Sequence, residues 1–448
     1  PPADPVRFGH DFTGWTDGTS VKSYAEIDRL PVAAATTWTA TYAPHDGRRI
    51  RVGVYSGPGA NGTAALNYHR LFRNNSRFES VHVQTNLVQE GSIMDRIDLF
   101  MVPGGTTAKM YEQLDKAGRD NIAKFVQRDG GRYFGTCAGT AFQMNDNSGS
   151  HMGLAPYKLT SQDYHDAVTV TLTEKGQEIF GELDWDNSVD NRIYYSGSPI
   201  MSDNKAGFKA GTYHFDVLAY YKQGLNAGFC DEDHYAIVAG TNYLGRLFLT
   251  GPHPEVYAET YKFISTGVRW LFDEGVARNG ATAEELRSAA TGITFALPTT
   301  GKNPGALRVA YGPASFTTYG ADELLPLVEM IDQHPDYVLT PRSADNIKAG
   351  LSDYDVLVLS KRYRHYAPGG SSYESSGVSA FVAAGGKVLC QADGDVEVMR
   401  GLRAIAEARP VPLPGREAWG EMYRKLGAAA DETALAFMGT DCEMRWTV

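Results

Sequence analysis

One cysteine in this sequence occupies a position where a thiol can act as a nucleophile. Residues 130–140 read as a buried strand, a tight turn and the start of a helix, with Cys137 at the turn. Gly135 and Gly139 flank the cysteine and allow a sharp bend with close packing of the neighbouring elements. Backbone N–H groups and the dipole at a helix N-terminus favour the thiolate. The segment predicts a nucleophile elbow with Cys in place of Ser, against the alternative of a buried structural cysteine.

A second segment supplies a base for that thiol. Residues 245–255 form another apolar strand, which ends in His253 and Glu255, two residues apart. Side chains i and i+2 of an extended stretch point to the same side, so one ring nitrogen can face Cys137 while the other meets Glu255. A thiol nucleophile needs a base, and the base needs an orienting acceptor. Alone, this segment reads as a surface turn between prolines; beside the elbow, it predicts a Cys-His-Glu triad.

A glycine pair offers backbone donors for a developing negative charge. The apolar strand at residues 97–103 is followed by Gly104 and Gly105. Glycine N–H groups have no Cβ beside them and can face a ligand closely. The N–H groups of Gly105 and Ala138 are therefore predicted to stabilise a tetrahedral oxyanion.

These segments resemble the class I glutamine amidotransferase-like superfamily, and within it the domain at the N-terminus of some biotin–protein ligases. The resemblance covers residues 50–275. It implies a flavodoxin-like α/β sandwich in which Cys137 is the nucleophile, His253 the base and Glu255 its orienter. Gly105 and Ala138 would form the oxyanion hole. The matching segments are residues 54–59, 102–105, 135–139, 194–199 and 251–255.

The resemblance leaves the substrate open. Thr140 and Phe142 follow the elbow where a glutaminase usually carries Gln or a similar polar group, which argues against glutamine. Tyr195 and Ser196 fall in the fourth matching segment and are candidates to line a pocket, although an aromatic strand end in the core fits them equally. The candidate pocket residues are Gly104, Thr136, Thr140, Tyr195 and Ser196.

Alternating strand and helix patterns predict the architecture around these residues. Residues 50–275 have a βαβ rhythm, which implies a parallel sheet with helices on both faces. From about residue 155 the strands become shorter, and a helix at 254–272 is predicted to close this catalytic domain, with proline in its first turn. Residues 1–49 are predicted to be an extension that packs on the domain, with a strand near 37–42. Residues 276–305 are predicted to be a linker with a helical patch at 283–290.

Residues 306–448 are predicted to form a second, degenerate flavodoxin-like domain. Residues 307–313, 354–360 and 378–388 echo 50–58, 97–103 and 121–133 at a nearly constant sequence separation. The copy lacks the catalytic residues, because Cys137 aligns with Ala392 and the glycine pair with Ser360 and Lys361. We interpret it as a dimer face, a substrate wall or a binding module.

Composition excludes several classes of protein. A length of 448 residues suggests two or three domains, and 42% hydrophobic residues support a sizeable core. The net charge of −11 argues against nucleic acid or an anionic membrane as a partner. No apolar run is long enough to span a bilayer. No nucleotide-binding glycine pattern follows a strand, and His151, His165, His214 and His234 lack metal-ligand spacing, so neither a cofactor nor a metal is predicted.

Cysteine usage and local motifs bear on the compartment. If Cys137 is catalytic, Cys390 and Cys442 are the natural pair for a disulfide, although sequence does not determine connectivity. The sequence begins without Met, and glycosylation acceptor patterns occur at Asn61 and Asn74. These features favour a secreted or extracytoplasmic protein and leave a cytoplasmic location open.

The residues favour a cysteine-dependent hydrolase of the amidase or peptidase type, with a thioester intermediate at a C–N bond. Its expected partner is a small-molecule or peptide amide, and a homo-oligomer is a further expectation. One alternative is a non-enzymatic binding protein, which has no need to retain Cys, His and Glu together. Another is a thiol-dependent lyase or redox sensor, which often carries an acid where this chain has residues 56–58.

Overall fold

The computed structural model describes residues 7–23, 26–27, 30, 37–45, 47–146, 149–181, 192–256, 260–296, 304–312, 336–341, 350–359 and 377–390. The chain divides into two compact units, of which one spans Asp46–Pro298 and the other combines residues before 46 with the C-terminal part. The domain boundaries predicted from the sequence, and the packing of residues 1–49 on the catalytic domain, stay predictions.

A small antiparallel sheet lies near the N-terminus. Its strand order is β2-β1-β3, and the alternating segment predicted near residues 37–42 contributes to β3. The Trp15 ring is buried and meets Phe12 edge-on at a centroid distance of 5.4 Å. The strands are β1 His10–Thr16, β2 Val21–Lys22 and β3 Thr39–Pro44.

An 11-stranded mixed sheet forms the centre of the Asp46–Pro298 unit. Its strands are β4 Ile50–Tyr55, β5 Phe78–Val83, β6 Leu99–Val102, β7 Arg132–Thr136, β8 Tyr157–Thr160, β9 His165–Leu172, β10 Arg192–Ser196, β11 Ile200–Asp203, β12 Tyr213–Gln223, β13 Tyr235–Asn242 and β14 Gly245–Thr250.

Five of these strands are parallel and follow the order β5-β4-β6-β7-β14. In chain order this is the 2-1-3-4-5 arrangement of flavodoxin-like sheets. Strands β6, β7 and β14 are buried throughout, as expected of strands covered on both faces. The α/β class predicted from the βαβ rhythm is confirmed. The remaining strands extend the sheet beyond β14 in antiparallel pairs. The expectation of shorter strands after residue 155 is wrong for three of them, because β12 has 11 residues and β9 and β13 have 8 each.

Helices connect and cover the parallel strands. The predicted helices near residues 64–72 and 118–128 are present, and the first begins after Asn61, whose side chain accepts the N–H of Ala64. Asn61 is 1% exposed, so this acceptor pattern cannot carry a glycan, whereas Asn74 is exposed. The helices are α1 Gly62–Arg73, α2 Thr85–Glu90, α3 Thr107–Gln113, α4 Asp115–Gln127, α5 Ala138–Ala141, α6 Glu174–Phe180, α7 Tyr261–Asp273 and α8 Ala283–Ala290.

The segment predicted to be a linker makes extensive contacts within the same unit. Arg278 donates to the carbonyl groups of Met94, Ile97 and Asp129. Phe295 meets Phe72 edge-on at a centroid distance of 5.2 Å. The predicted helical patch is α8, which begins with a capping box.

The C-terminal unit contains a four-stranded parallel sheet. Its strand order is β16-β15-β17-β18, which is 2-1-3-4 in chain order and therefore matches the first four parallel strands of the central sheet. The elements are strands β15 Leu307–Gly312, β16 Tyr337–Pro341, β17 Val356–Leu359 and β18 Lys387–Cys390, with helix α9 Gly377–Ala383.

Matching contacts support the internal repeat. In the first copy, the Asp98 carboxylate accepts the backbone N–H of Arg51 at 2.9 Å. In the second, the Asp355 carboxylate accepts the backbone N–H of Arg308 at 2.8 Å. These are the pairs that the sequence echo aligns. The prediction that the second copy lacks catalytic residues depends on positions that lie outside the described residues, namely Ser360, Lys361 and Ala392. Cys442 lies outside them as well.

Candidate active site

The cysteine predicted at the elbow lies between β7 and α5. Cys137 has φ 49° and ψ −111°, a backbone conformation that L-residues rarely adopt. Gly139 has no room for a side chain, because a Cβ there would overlap the Val102 carbonyl. Non-glycine residues held in such conformations concentrate at functional sites. The elbow predicted from the glycine spacing is therefore present in the backbone.

Hydrogen bonds to the neighbouring strand hold the elbow in place. The N–H of Cys137 donates to the Thr250 carbonyl at 2.9 Å. The Thr140 hydroxyl lies 2.8 Å from the carbonyl oxygens of both Gly135 and Thr250. Thr140 is fully buried, and these contacts fix the strand-to-helix turn. Its membership of a substrate pocket stays a prediction.

The predicted base and its orienter are in direct contact. His253 Nδ1 and Glu255 Oε1 are 2.8 Å apart, and the two side chains are 2% and 1% exposed. They lie in the turn that follows β14, and the next helix begins only at Tyr261. The helix predicted to start at Pro254 is therefore wrong at its N-terminus. The local reason is that side chains two residues apart on a helix do not face each other, whereas the bridge and turn at residues 253–255 let Glu255 reach the His253 ring.

Cys137 and His253 influence each other electrostatically. Burial by itself raises the pKa of the Cys137 thiol, but the neighbouring His253 imidazolium and hydrogen bonds to the sulfur lower it below the ordinary value. Burial by itself lowers the pKa of His253, whereas the thiolate and the Glu255 carboxylate raise it well above the ordinary value. The arrangement favours a thiolate–imidazolium pair.

The predicted glycine pair packs against both reactive side chains. A Cβ at Gly104 would lie 2.5 Å from His253 Cε1 and 3.2 Å from Cys137 Cβ. Gly105 has φ 144°, and its backbone N–H is among the groups that lower the pKa of the Cys137 thiol. Ala138 begins α5, where the first N–H groups have no acceptor within the helix. The residues predicted to form an oxyanion hole therefore adjoin the sulfur.

Strand β10 and the turn after it reach the same place from the antiparallel part of the sheet. The N–H of His253 donates to the Tyr194 carbonyl at 2.7 Å. The edge strand β10 therefore contacts the turn that follows β14. Tyr195 is buried and donates to the Ser198 carbonyl, and burial raises its pKa to about 12. Ser196 lies 2.9 Å from a ring nitrogen of His165. Pocket roles for Tyr195 and Ser196 stay predictions.

Two further side chains meet the site, and the sequence patterns do not single them out. Ser198 is fully buried, and its hydroxyl is among the groups that lower the pKa of the Cys137 thiol. Tyr68 in α1 donates to Glu255 Oε2 at 3.0 Å, and its oxygen lies 2.6 Å from Thr136 Oγ1. Thr136, a candidate pocket residue, thus directs its hydroxyl toward the Glu255 side of the site.

Four findings concern metal ligands, membrane helices, thiols and histidines in the described part of the chain. Those residues contain no group of three or more His, Cys, Asp or Glu side chains with metal-binding geometry. None of the helices within the described ranges has the length and apolarity to cross a bilayer. Cys137 and Cys230 are free thiols. Exposed His165 and His214 each pair with an aspartate nearby in sequence.

Comparison with known proteins gives one family match. Residues 50–148 match the family described as "Biotin-protein ligase, N terminal". The match includes β4 to β7 and the elbow with Cys137, and ends before His253. A search of curated proteins gives no match.

Among solved structures, the exo-beta-1,4-mannosidase Op5Man5 from Opitutaceae bacterium strain TAV5 aligns over 50% of this chain and 36% of its own. The identity is 8% and the TM-score is 0.29. The chain thus spans about a third of that protein's length, and the likeness is too distant to inform function.

Proposed function

We propose that this protein is a cysteine-dependent hydrolase of the amidase or peptidase type, with Cys137, His253 and Glu255 as its catalytic triad. The observation that carries the proposal is the 2.8 Å contact between His253 Nδ1 and Glu255 Oε1, buried beside a cysteine with φ 49°. A buried carboxylate on one ring nitrogen fixes the tautomer and orients the other nitrogen. Cys137 Cβ and His253 Cε1 lie 3.2 Å and 2.5 Å from the position of a Cβ at Gly104, which supports an elbow that offers the sulfur to that imidazole.

Acylation follows from this arrangement. The Cys137 thiolate attacks the carbonyl carbon of an amide, and the carbonyl oxygen takes up the negative charge. The N–H groups of Gly105 and Ala138 are placed to stabilise that oxyanion. His253 Nε2–H then protonates the leaving nitrogen, the C–N bond breaks, and a thioester and a free amine result.

Hydrolysis of the thioester returns the site to its starting state. Neutral His253 takes a proton from a water molecule, and the resulting hydroxide attacks the thioester carbonyl. The second oxyanion is stabilised by the same N–H groups, and its collapse releases a carboxylic acid and the Cys137 thiolate. Glu255 stabilises the imidazolium in both halves of the reaction without taking up a proton.

The family match supports the scaffold of this proposal. It includes the elbow, so an amidotransferase-like arrangement of β7, Cys137 and α5 has support from sequence as well as geometry. We infer that the substrate is a small-molecule or peptide amide. Thr140 bonds to backbone carbonyls rather than offering an amide-recognising group, which supports a substrate other than glutamine.

The pH dependence of Cys137 alkylation by iodoacetamide tests the triad. Peptide mass spectrometry reads each cysteine separately, so Cys230, whose thiol pKa is raised by partial burial, serves as an internal control. An ordinary thiol is half-alkylated near pH 8.5, and we expect the midpoint for Cys137 to lie below that value. His253→Ala is expected to move the midpoint upward and leave Cys230 unchanged.

Activity on amide substrates gives the second readout. We expect a chromogenic amide library to contain substrates that the wild type hydrolyses and Cys137→Ser does not. Rate should rise as Cys137 ionises and fall at higher pH as His253 loses the proton that the leaving nitrogen needs. An ordinary alkylation midpoint that is indifferent to His253→Ala would refute the triad and favour a binding protein on this scaffold.

A further inference from the structure

A tyrosine from a distant helix holds the second oxygen of the candidate acid. Tyr68 lies in α1, its side chain is fully buried, and its ring packs on Phe134 at a centroid distance of 6.2 Å. Its hydroxyl donates to Glu255 Oε2 at 3.0 Å, while Glu255 Oε1 meets His253. Both carboxylate oxygens therefore have a hydrogen-bond partner, and the two partners come from different parts of the fold.

The same hydroxyl is oriented by the residue beside the nucleophile. Thr136 Oγ1 lies 2.6 Å from the Tyr68 oxygen. A phenol has one hydrogen, and that hydrogen lies toward Glu255, so Thr136 is the donor in this pair. Thr136 precedes Cys137 in the chain. A chain of hydrogen bonds thus runs from Thr136 through Tyr68 and Glu255 to His253.

We propose that Tyr68 is a positioning residue of this site, which fixes the Glu255 carboxylate and through it the imidazole of His253. This inference rests on the proposed triad. A carboxylate held at one oxygen can rotate about its terminal torsion, which has a broad energy profile. A second donor removes that freedom and also stabilises the ionised form in a buried place.

The protonation state of Tyr68 suits this role. Burial and the nearby Glu255 carboxylate raise the pKa of its hydroxyl well above the ordinary value. The phenol therefore keeps its hydrogen throughout the pH range in which Cys137 and His253 change charge. Tyr68 acts as a fixed donor and does not exchange a proton with the substrate.

Tyr68→Phe tests the inference, because it removes the hydroxyl and keeps the ring that packs on Phe134. We expect the alkylation midpoint of Cys137 to rise by about one pH unit, the shift that a tenfold weaker charge stabilisation gives. Thr136→Val, which leaves the Tyr68 hydroxyl without its donor, is expected to give a smaller rise. In a Glu255→Gln background, Tyr68→Phe should add little, because its effect passes through that carboxylate.

Tyr55→Phe is the matched control. Tyr55 is also fully buried, and its hydroxyl hydrogen-bonds Pro58 and Thr85 rather than the site. The Tyr55→Phe variant should have a lower melting temperature and an unchanged alkylation midpoint at Cys137. A merely structural Tyr68 would behave in the same way.

The outcomes separate the two proposals. A low wild-type midpoint that Tyr68→Phe does not move would overturn the positioning role and leave the triad standing. An ordinary wild-type midpoint would overturn both. Should Tyr68→Phe fail to fold, Thr136→Val decides: an unchanged midpoint in a folded variant would overturn the positioning role, and a raised one would support it.

Discussion

Gly104→Ala is a steric probe of the contact between the nucleophile and its base. The backbone at Gly104 is outside the left-handed region, so alanine can adopt it without strain. The added methyl group would lie 2.5 Å from His253 Cε1 and 3.2 Å from Cys137 Cβ. Carbon atoms pack at about 3.5–4.0 Å, so the imidazole must move by roughly 1 Å. That displacement is comparable with the tolerance of a hydrogen bond.

The magnitude follows from the fraction of thiolate. The lowered pKa of Cys137 gives it a larger fraction of thiolate at pH 6 than an ordinary thiol, which with a pKa near 8.5 is ionised to about 0.3% at that pH. Moving the imidazole away should therefore slow alkylation at pH 6, by about tenfold for each unit by which the thiol pKa rises. Overpacking should also lower the free energy of unfolding by about 1–3 kcal/mol.

The assay is the rate of Cys137 carbamidomethylation at pH 6, followed by peptide mass spectrometry, with thermal unfolding measured in parallel. Gly118→Ala is the control, because a Cβ there meets its neighbours at an ordinary 3.4 Å and the residue lies inside α4. That variant should keep the wild-type rate. A folded Gly104→Ala protein with a wild-type rate would show that His253 does not set the reactivity of Cys137.

Two other substitutions separate chemistry from stability. Glu255→Gln keeps the shape of the acid and removes its charge, so the alkylation midpoint of Cys137 should rise by about one pH unit; an unchanged midpoint would contradict the orienting role. Arg132→Met leaves the carbonyls of Leu271 and Val276 without their buried donor. It should lower the free energy of unfolding, measured in urea, by about 2–3 kcal/mol and leave the alkylation midpoint of Cys137 unchanged. Lys116→Met is the control, because it removes an exposed ion pair with Asp120 and should lower the free energy of unfolding by less than about 0.5 kcal/mol.

Local patterns were sufficient to predict the parallel strands and the local geometry of the candidate residues that follow them. The glycine spacing around Cys137 predicts a tight turn because few other residues allow such close packing, and the structure has that turn. The spacing of His253 and Glu255 predicts that they share a side, and they are 2.8 Å apart. Both predictions depend only on a few neighbouring residues in the chain.

Contacts between distant segments could not be predicted in this way. Tyr68 lies on the buried face of an amphipathic helix, where its pattern is that of any core aromatic residue. Its role depends on α1 packing beside Thr136, which no local pattern specifies. The start of α7 was predicted too early for a related reason, since proline commonly opens a helix but here Pro254 lies in the turn between the base and its orienter.

Strands β7 and β14 are hydrogen-bonded neighbours, with Thr136 in register with Thr250. Cys137 directly follows one strand and His253 lies just beyond the other, so their separation is set by the spacing of two adjacent strands, about 4.8 Å. The antiparallel strands inserted between them in sequence do not set this distance. Within that insertion, the Tyr194 carbonyl that accepts the His253 N–H and the buried Ser198 have to be kept. The rest of the insertion can change without moving the candidate pair, which makes it the natural place to alter which molecules reach the thiol.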